Sequence, residues 1–251
     1  MSNIEQYKIL HQQDSTYGIT GGAYLEEVCL FIDFLKPKTV LDYGCGKGAL
    51  IKELSQRYQN ISFYGYDPAI PGRDVLPVEK ADFIINTDVL EHIPENELPA
   101  VIEQIARISQ NVFFVLHHYP AEQILPNGEN AHCTVKPPAY YHNLLGKYFP
   151  DIVALKSRGP LNSVVLTFKL LPEYIFKYNR MLESPAENNS CEYELEKIKE
   201  VLSFVLKSSK KSIKRTALKY RILSHLFFGK RARKYRQKYK EYKNFIRTNN
   251  L

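Results

Sequence analysis

Two sets of residues in this 251-residue chain have types and spacings suited to chemistry. The first is Asp42-x-Gly44-Cys45-Gly46-x-Gly48, followed by a second acid at Asp67-Pro68. Alternating glycines let a backbone turn sharply and let a ligand approach with no Cβ in the way. A carboxylate at Asp67 can accept both hydroxyls of a ribose. The second set can move protons: Asp88 with His92, the adjacent pair His117 and His118, and His132 within LPNGENAHC, residues 125–133. Histidine is the natural proton acceptor near neutral pH.

The surrounding pattern predicts the elements that position these groups. Thr39-Val40-Leu41 reads as a buried strand closed by Asp42, and Ala49–Tyr58 as the helix after the glycine turn. Strand, glycine loop and helix together place free N–H groups at the carboxyl edge of a parallel sheet. Ile61–Tyr66 is a second strand ending at Asp67, and Ala81–Asp88 a third. Asn111–Leu116 is a fourth, with Ile152–Ala154 and Val164–Leu170 as the last two. Helices are expected over Ala23–Leu35, Pro94–Ser109 and Pro138–Phe149, the second with Leu98, Val101, Ile102, Ile105 and Ile108 on its apolar side. The segment 68–81, PAIPGRDVLPVEKA, holds three prolines and a glycine and leaves no room for a helix and strand. Pro120–Pro138 is a long irregular loop, a kind that is often functional. His117 and His118 are adjacent in an extended segment, so they point to opposite faces. One faces the site and the other packs or is solvated. The chain has no Gly-Lys-Ser/Thr for a nucleoside triphosphate, and its glycine spacing departs from the G-x-G-x-x-G of dinucleotide-binding dehydrogenases.

Three ordered motifs carry a resemblance: Val40–Gly48 (VLDYGCGKG), the acid after the second strand, and Asp88–Ile93 (DVLEHI). Over residues 1–170 the chain resembles the class I S-adenosylmethionine-dependent methyltransferases. The resemblance implies a Rossmann-like α/β sheet with helices on both faces and S-adenosylmethionine as cofactor. It implies that Asp42, Gly44, Cys45, Gly46 and Gly48 hold the methionine moiety and that Asp67 and Pro68 hold the ribose. Thr87, Asp88, Val89 and His92 would lie beside the methyl donor. Asp74 and Val75 are the candidates for the adenine contact, and Tyr17 is a further candidate cofactor contact. The LPNGENAHC segment, with Tyr140-Tyr141 after it, resembles the L-P-D-G-R-N-A-H…W-W pattern of a compact bacterial and phage subgroup. Asn130, Tyr140 and Tyr141 are the matching candidates for acceptor binding. His132 would be a base or hydrogen-bond donor over the acceptor, or would hold the loop's own backbone together. Here Asn127 and Glu129 replace the pattern's Asp and Arg, and tyrosines replace its tryptophans.

His117, His118, His132, Cys133 and His142 are enough metal ligands in number. None has a metal-ligand spacing, and no acidic pair accompanies them in the sequence. No metal site is expected, and turnover is expected to survive a chelator.

Composition divides the chain. From Lys207 onward there are sixteen Lys/Arg and one acid, Glu241, a net +15; the remainder carries −8. Residues 171–251 are therefore read as a basic helical extension to the domain of residues 1–170. Pro185–Ser190 reads as a linker and Glu192–Lys207 as a helix that Ser190 caps. Beyond it, Ile213, Ala217, Tyr220, Leu223 and Phe227 keep a helical spacing amid basic residues, as do Tyr235, Tyr239, Tyr242 and Phe245. Such a stripe suits an anionic membrane surface, the acidic body of the protein or a second copy. Nucleic acid is the less favoured polyanion, because the positive charge is confined to one end. The tail is similar in composition to those of bacterial surface-polysaccharide enzymes, which implies a glycan or activated-glycan acceptor. RNA methylation and a non-catalytic cofactor-binding scaffold are the alternatives. No run reaches bilayer-spanning length, the N-terminus shows no signal pattern, and the four cysteines lack a C-x-x-C. A cytoplasmic location, with peripheral contact to the inner face of the membrane, is expected.

Overall fold

A computed structural model of the chain describes residues 2–14 and 16–182. The expected linker at 185–190, the helix over 192–207 and the basic stripes beyond lie outside the described residues. Six strands form one sheet: β1 (Thr39–Tyr43), β2 (Ser62–Tyr66), β3 (Phe83–Thr87), β4 (Val112–His117), β5 (Val153–Leu155) and β6 (Asn162–Leu166). Their order is β2-β1-β3-β4-β6-β5. Strands β1 to β4 run parallel, and β6 is antiparallel to both β4 and β5. The chain leaves β1 toward one edge and returns to β3 on its other side. That reversal opens a crevice at the carboxyl ends of β1 and β3, where open α/β sheets bind ligands.

Alternation along each strand builds two cores. Val40, Phe83, Ile85, Phe113, Val115 and Leu166 face one layer, made by α2 (Leu25–Leu35), α3 (Ala49–Arg57) and α6 (Pro172–Met181). Leu41, Ile84, Phe114, Leu116 and Val165 face the other, made by α4 (Leu98–Ile108) and α5 (Pro138–Leu145). Neighbouring residues such as Ile84 and Ile85 are both fully buried, on opposite faces, so either shifted register would expose nothing apolar but would scramble both cores. The segment between Asp67 and Asp82 contains turns and neither helix nor strand, as its prolines require.

Several boundaries differ from the sequence reading. The helix expected from Pro94 begins at Leu98, because Pro94 to Glu97 close a turn in which the Glu97 N–H donates to the Pro94 carbonyl at 2.8 Å. The stretch before α2 is a tight helical turn, Thr20–Tyr24, and α2 ends at Leu35, stopped by Lys36 with its φ of 50°. The helix expected to reach Phe149 ends at Leu145, and the last strand ends at Leu166 rather than Leu170. Two helices go beyond the sequence reading. One is α1 (Asn3–Gln13), started by a capping box in which Ser2 and Glu5 satisfy each other's backbone N–H groups. The other is α6, which lies beyond residue 170 and buries Tyr178 and, just after it, Leu182 in the first core. Among the described residues no helix is long and apolar enough to cross a membrane.

Candidate active site

The glycine loop follows β1, and the end of β2 holds it in shape. The N–H groups of Gly44 and Cys45 donate to the Tyr66 carbonyl at 2.8 and 3.0 Å. Asp67 accepts from the Gly46 N–H through Oδ2 and from the Ala69 N–H through Oδ1, both at 2.9 Å. The loop is packed too closely for side chains. A Cβ on Gly46, whose φ is 49°, would lie 2.3 Å from the Gly18 carbonyl oxygen, and one on Gly44 would lie 2.3 Å from Val89. The guanidinium of Arg73 lies over the same loop, 3.4 Å from the Gly46 carbonyl and from the Cys45 thiol. Nothing in the sequence marks Arg73 beyond its place in the Pro71–Asp74 turn.

Asp42 is 4% exposed, and burial, reinforced by the charge of Asp67, raises its carboxyl to about 7. Arg73 works against that rise. Two carboxylates and one guanidinium beside close-packed backbone match a ligand that carries hydroxyls, an ammonium group and a carboxylate. The donor set thus fits S-adenosylmethionine, with Asp67 and Asp42 as acceptors and Arg73 as donor. Asp74 and Val75, the candidates for the adenine contact, follow Arg73 in the same turn. Both are exposed, Val75 at 77%, and the Asp74 carboxylate accepts from the Gly72 N–H within its own turn. Pro68 and Val89 are half-buried and Thr87 is buried at the end of β3.

A second cluster stands at the ends of β3 and β4. Asp88 has a φ of 61°, a strained value for a residue with a Cβ. That backbone turns its carboxylate toward three imidazoles. Its Oδ1 lies 3.6 Å from His92 Nε2, 3.6 Å from His117 Nδ1 and 3.7 Å from His132 Nε2. These histidines hold the Asp88 carboxyl well below the usual range, although burial opposes them. Glu91, fully buried one helical turn on, accepts from the His117 backbone N–H through Oε1 at 2.8 Å. Burial and the charge of Asp88 push its own carboxyl well above the usual range. Burial lowers His117 to about 4, so its ring is neutral at neutral pH.

The orientation of each ring is set from outside the cluster. His132 Nδ1–H donates to the Tyr119 carbonyl at 2.6 Å, which turns Nε2 toward Asp88. His92 Nδ1 lies 3.0 Å from the Tyr7 hydroxyl and 3.1 Å from the Ala131 carbonyl. Tyr7 comes from α1, whose Asn3 amide also donates to the His92 carbonyl at 2.8 Å. Helix α1 and the 120–134 loop pack together through Tyr7, Leu10, Leu125 and Ala131, with Tyr17 beside them. They form a cap over the carboxyl edge. The sequence contains both pieces but no local signal that they meet.

The structure brings His92, His117 and His132 together and leaves His118 out. The His118 ring nitrogens engage the Lys136 carbonyl and the Ser163 hydroxyl on the opposite side of the strand, as alternation demands. Asn130 does not face the cluster: its side chain clamps the loop, bonding both backbone groups of Ala121 and the His132 N–H. Tyr141 is fully buried and donates to the Thr134 carbonyl at 2.6 Å. Tyr140 is half-buried and carries the Lys136 ammonium over its ring at 5.3 Å. The acidic pair that the sequence did not show beside the histidines is supplied by tertiary contact. One ligand atom each of Asp88, Glu91, His117 and His132 lies within 4.8 Å of all the others.

A family model gives the class. Described as a methyltransferase domain, it matches residues 23–148, half of the chain. The chain belongs to this family, the S-adenosylmethionine-dependent methyltransferases of class I. No curated protein matches the sequence. Among solved structures the chain is similar to an O-methyltransferase of Nostoc punctiforme, at 13% identity and a TM-score of 0.46, over 60% of this chain and 57% of that one. It is similar to human N-acetylserotonin methyltransferase, at 18% identity and 0.45, over 66% and 56%. A third is the magnesium protoporphyrin IX methyltransferase of Synechocystis, at 18% and 0.41, over 59% and 83%. The chain thus spans little more than half the length of the first two structures it matches.

Proposed function

We propose that the protein transfers a methyl group from S-adenosylmethionine to a small hydroxyl, amine or phosphoryl-linked acceptor on a surface glycan or its activated precursor. The observation that carries the reading is the convergence at one sheet edge of the glycine loop, Asp42 and Asp67 with the Asp88–histidine cluster. When bound, S-adenosylmethionine supplies an electrophilic methyl carbon on a sulfonium. Each oxygen of Asp67 has a lone pair beyond its backbone bond and accepts the ribose hydroxyls. Asp42 in its ionised form pairs with the ligand's ammonium group, and Arg73 with its carboxylate. The protein's remaining work is to position the acceptor and take up its proton. The neutral His117 and the oriented His132 stand where that proton is received, with Asp88 stabilising the positive charge that results. The glycan assignment is supported by the tail's composition.

Calorimetric titration tests the cofactor half. Wild type is expected to bind S-adenosylmethionine and its demethylated product. Asp67→Ala is expected to weaken both by about 1.5–3 kcal/mol for each charged hydrogen bond lost, or roughly 10- to 150-fold. A wild type that binds neither removes the proposal. Supplying radiolabelled methyl donor to glycan precursors and to RNA tests the acceptor half. Label in the RNA pool alone would replace the glycan assignment.

A further inference from the structure

We propose that Asp88, Glu91, His117 and His132 form a binding site for one divalent first-row transition cation. Two carboxylates and two imidazoles are a donor set suited to such ions. Ligand atoms about 2.1 Å from a shared ion stand roughly 3–3.5 Å from one another. The distances of 3.6 and 3.7 Å from Asp88 Oδ1 to the ring nitrogens of His117 and His132 are longer than hydrogen bonds and close to that spacing. All four groups lie within 4.8 Å of one another, so modest side-chain rotation closes the set.

Three further observations point inward to a cation. Glu91 is 0% exposed, and its carboxyl meets the Asp88 carboxylate, a contact that only a shared proton or a cation can bridge. His117 Nδ1, the ring nitrogen that faces the group, finds only the long contact to Asp88. Buried polar atoms left in this way are costly, and an ion would satisfy them. His132 gives its Nδ1–H to the Tyr119 carbonyl, which leaves Nε2, the nitrogen facing Asp88, as the atom that would bind an ion in place of a proton. A backbone acceptor on the far ring nitrogen is the usual support behind a metal-ligating histidine. The backbone strain at Asp88 has the same sense, since the left-handed φ of 61° aims its carboxylate into the group.

Four protein ligands leave room for an exogenous oxygen on an ion of higher coordination number. Resting on the function proposed above, this makes the acceptor a hydroxyl. An ion-bound hydroxyl loses its proton more readily, as ion-bound water does. His117 and His132 then hold the ion and no longer take up the proton: the oxygen attacks the methyl carbon, the C–S bond breaks, its electron pair stays on sulfur, and the proton passes to solvent.

The test uses full-length protein stripped with chelator and dialysed, without methyl donor or acceptor. Titration with Co²⁺ is expected to give visible absorption bands saturating at one ion per chain. Glu91→Gln and His132→Ala are each expected to weaken binding about a hundredfold while melting cooperatively, and His142→Ala, outside the group, is expected to leave it unchanged. Asp88→Asn serves if either variant fails to fold. Pulsed electron paramagnetic resonance of the wild type with Mn²⁺ is expected to show two imidazole nitrogens on the ion. No Co²⁺ bands, equal affinity in folded ligand variants, or fewer than two bound imidazoles overturns the site. Binding of S-adenosylmethionine, measured separately, stands or falls independently of this result.

Discussion

At the scale of single residues, the site is made of groups held in states they would not adopt in water. Asp42 is the simplest case. Burial moves its carboxyl from 3.8 to about 7, so the folded protein keeps a proton that the unfolded chain has lost across that interval. Stability is therefore highest below the lower value, falls as pH rises through about 7, and levels off above it. The whole shift corresponds to about 4 kcal/mol as an upper figure. Urea midpoints measured from pH 4.5 to 8 should fall for the wild type and fall less for Asp42→Asn. Saturating S-adenosylmethionine should also flatten the wild-type curve, because its ammonium group compensates the ionised carboxylate. Equal slopes in all three would remove Asp42 from the role given to it.

At the scale of elements, one buried charge ties α2 to the β5–β6 connection. Glu27 on α2 is 2% exposed and pairs with Arg158 in the β5–β6 connection, through Nε at 2.7 Å and Nη2 at 2.5 Å. Arg158 also covers the Tyr24 ring at 5.5 Å. Removing one partner of such a pair leaves the other charge buried and uncompensated, which costs about 3–5 kcal/mol. Because Arg158 keeps partial access to solvent, Arg158→Ala should lose about 3 kcal/mol in urea unfolding. Glu27→Gln with Arg158→Ala should recover part of that loss, since no unpaired charge then remains. A single variant that unfolds like the wild type would show that water already screens Glu27. The cap built from α1 and the 120–134 loop is the second element-scale feature. Its Tyr7 and Tyr119 contacts fix His92 and His132, so the cap sets the geometry of the cluster as well as covering it.

For the whole molecule the division of charge matters most. The net +15 from Lys207 onward stands against −8 in the remainder. We propose that the tail attaches the protein reversibly to anionic membrane surfaces. Each basic residue near such a surface contributes about 1 kcal/mol at most, and the effect fades within a Debye length. The apolar residues Leu223, Leu226, Phe227 and Phe228 would add a part that salt does not weaken. Cosedimentation with phosphatidylserine vesicles should therefore weaken but persist as salt rises. Deletion of residues 208–251 should abolish it and leave S-adenosylmethionine binding intact. Full-length protein that stays in solution at low salt would reject membrane attachment, and a truncated protein that unfolds would assign the stripes to packing within the chain.

The glycine loop, the acids at the carboxyl ends of β1, β2 and β3, and the shortened passage from Asp67 to Asp82 are legible in the sequence because each depends on neighbours in the chain. Strand alternation, the need for glycine at a left-handed turn and the exclusion of helix by proline all act within a few residues. The same local rule separates His117 from His118, although only the fold shows which one faces the site. What tertiary structure alone decided are the groups drawn from distant segments. Asp88 and Glu91 meet His117 and His132 because β3 and β4 pair in parallel and the long loop folds back across their ends. Arg73 reaches the glycine loop from an exposed turn, and Tyr7 reaches His92 from a helix with a weak apolar face. No spacing in one dimension encodes such meetings, since they depend on which chain ends the packing of two cores brings to the same edge of the sheet.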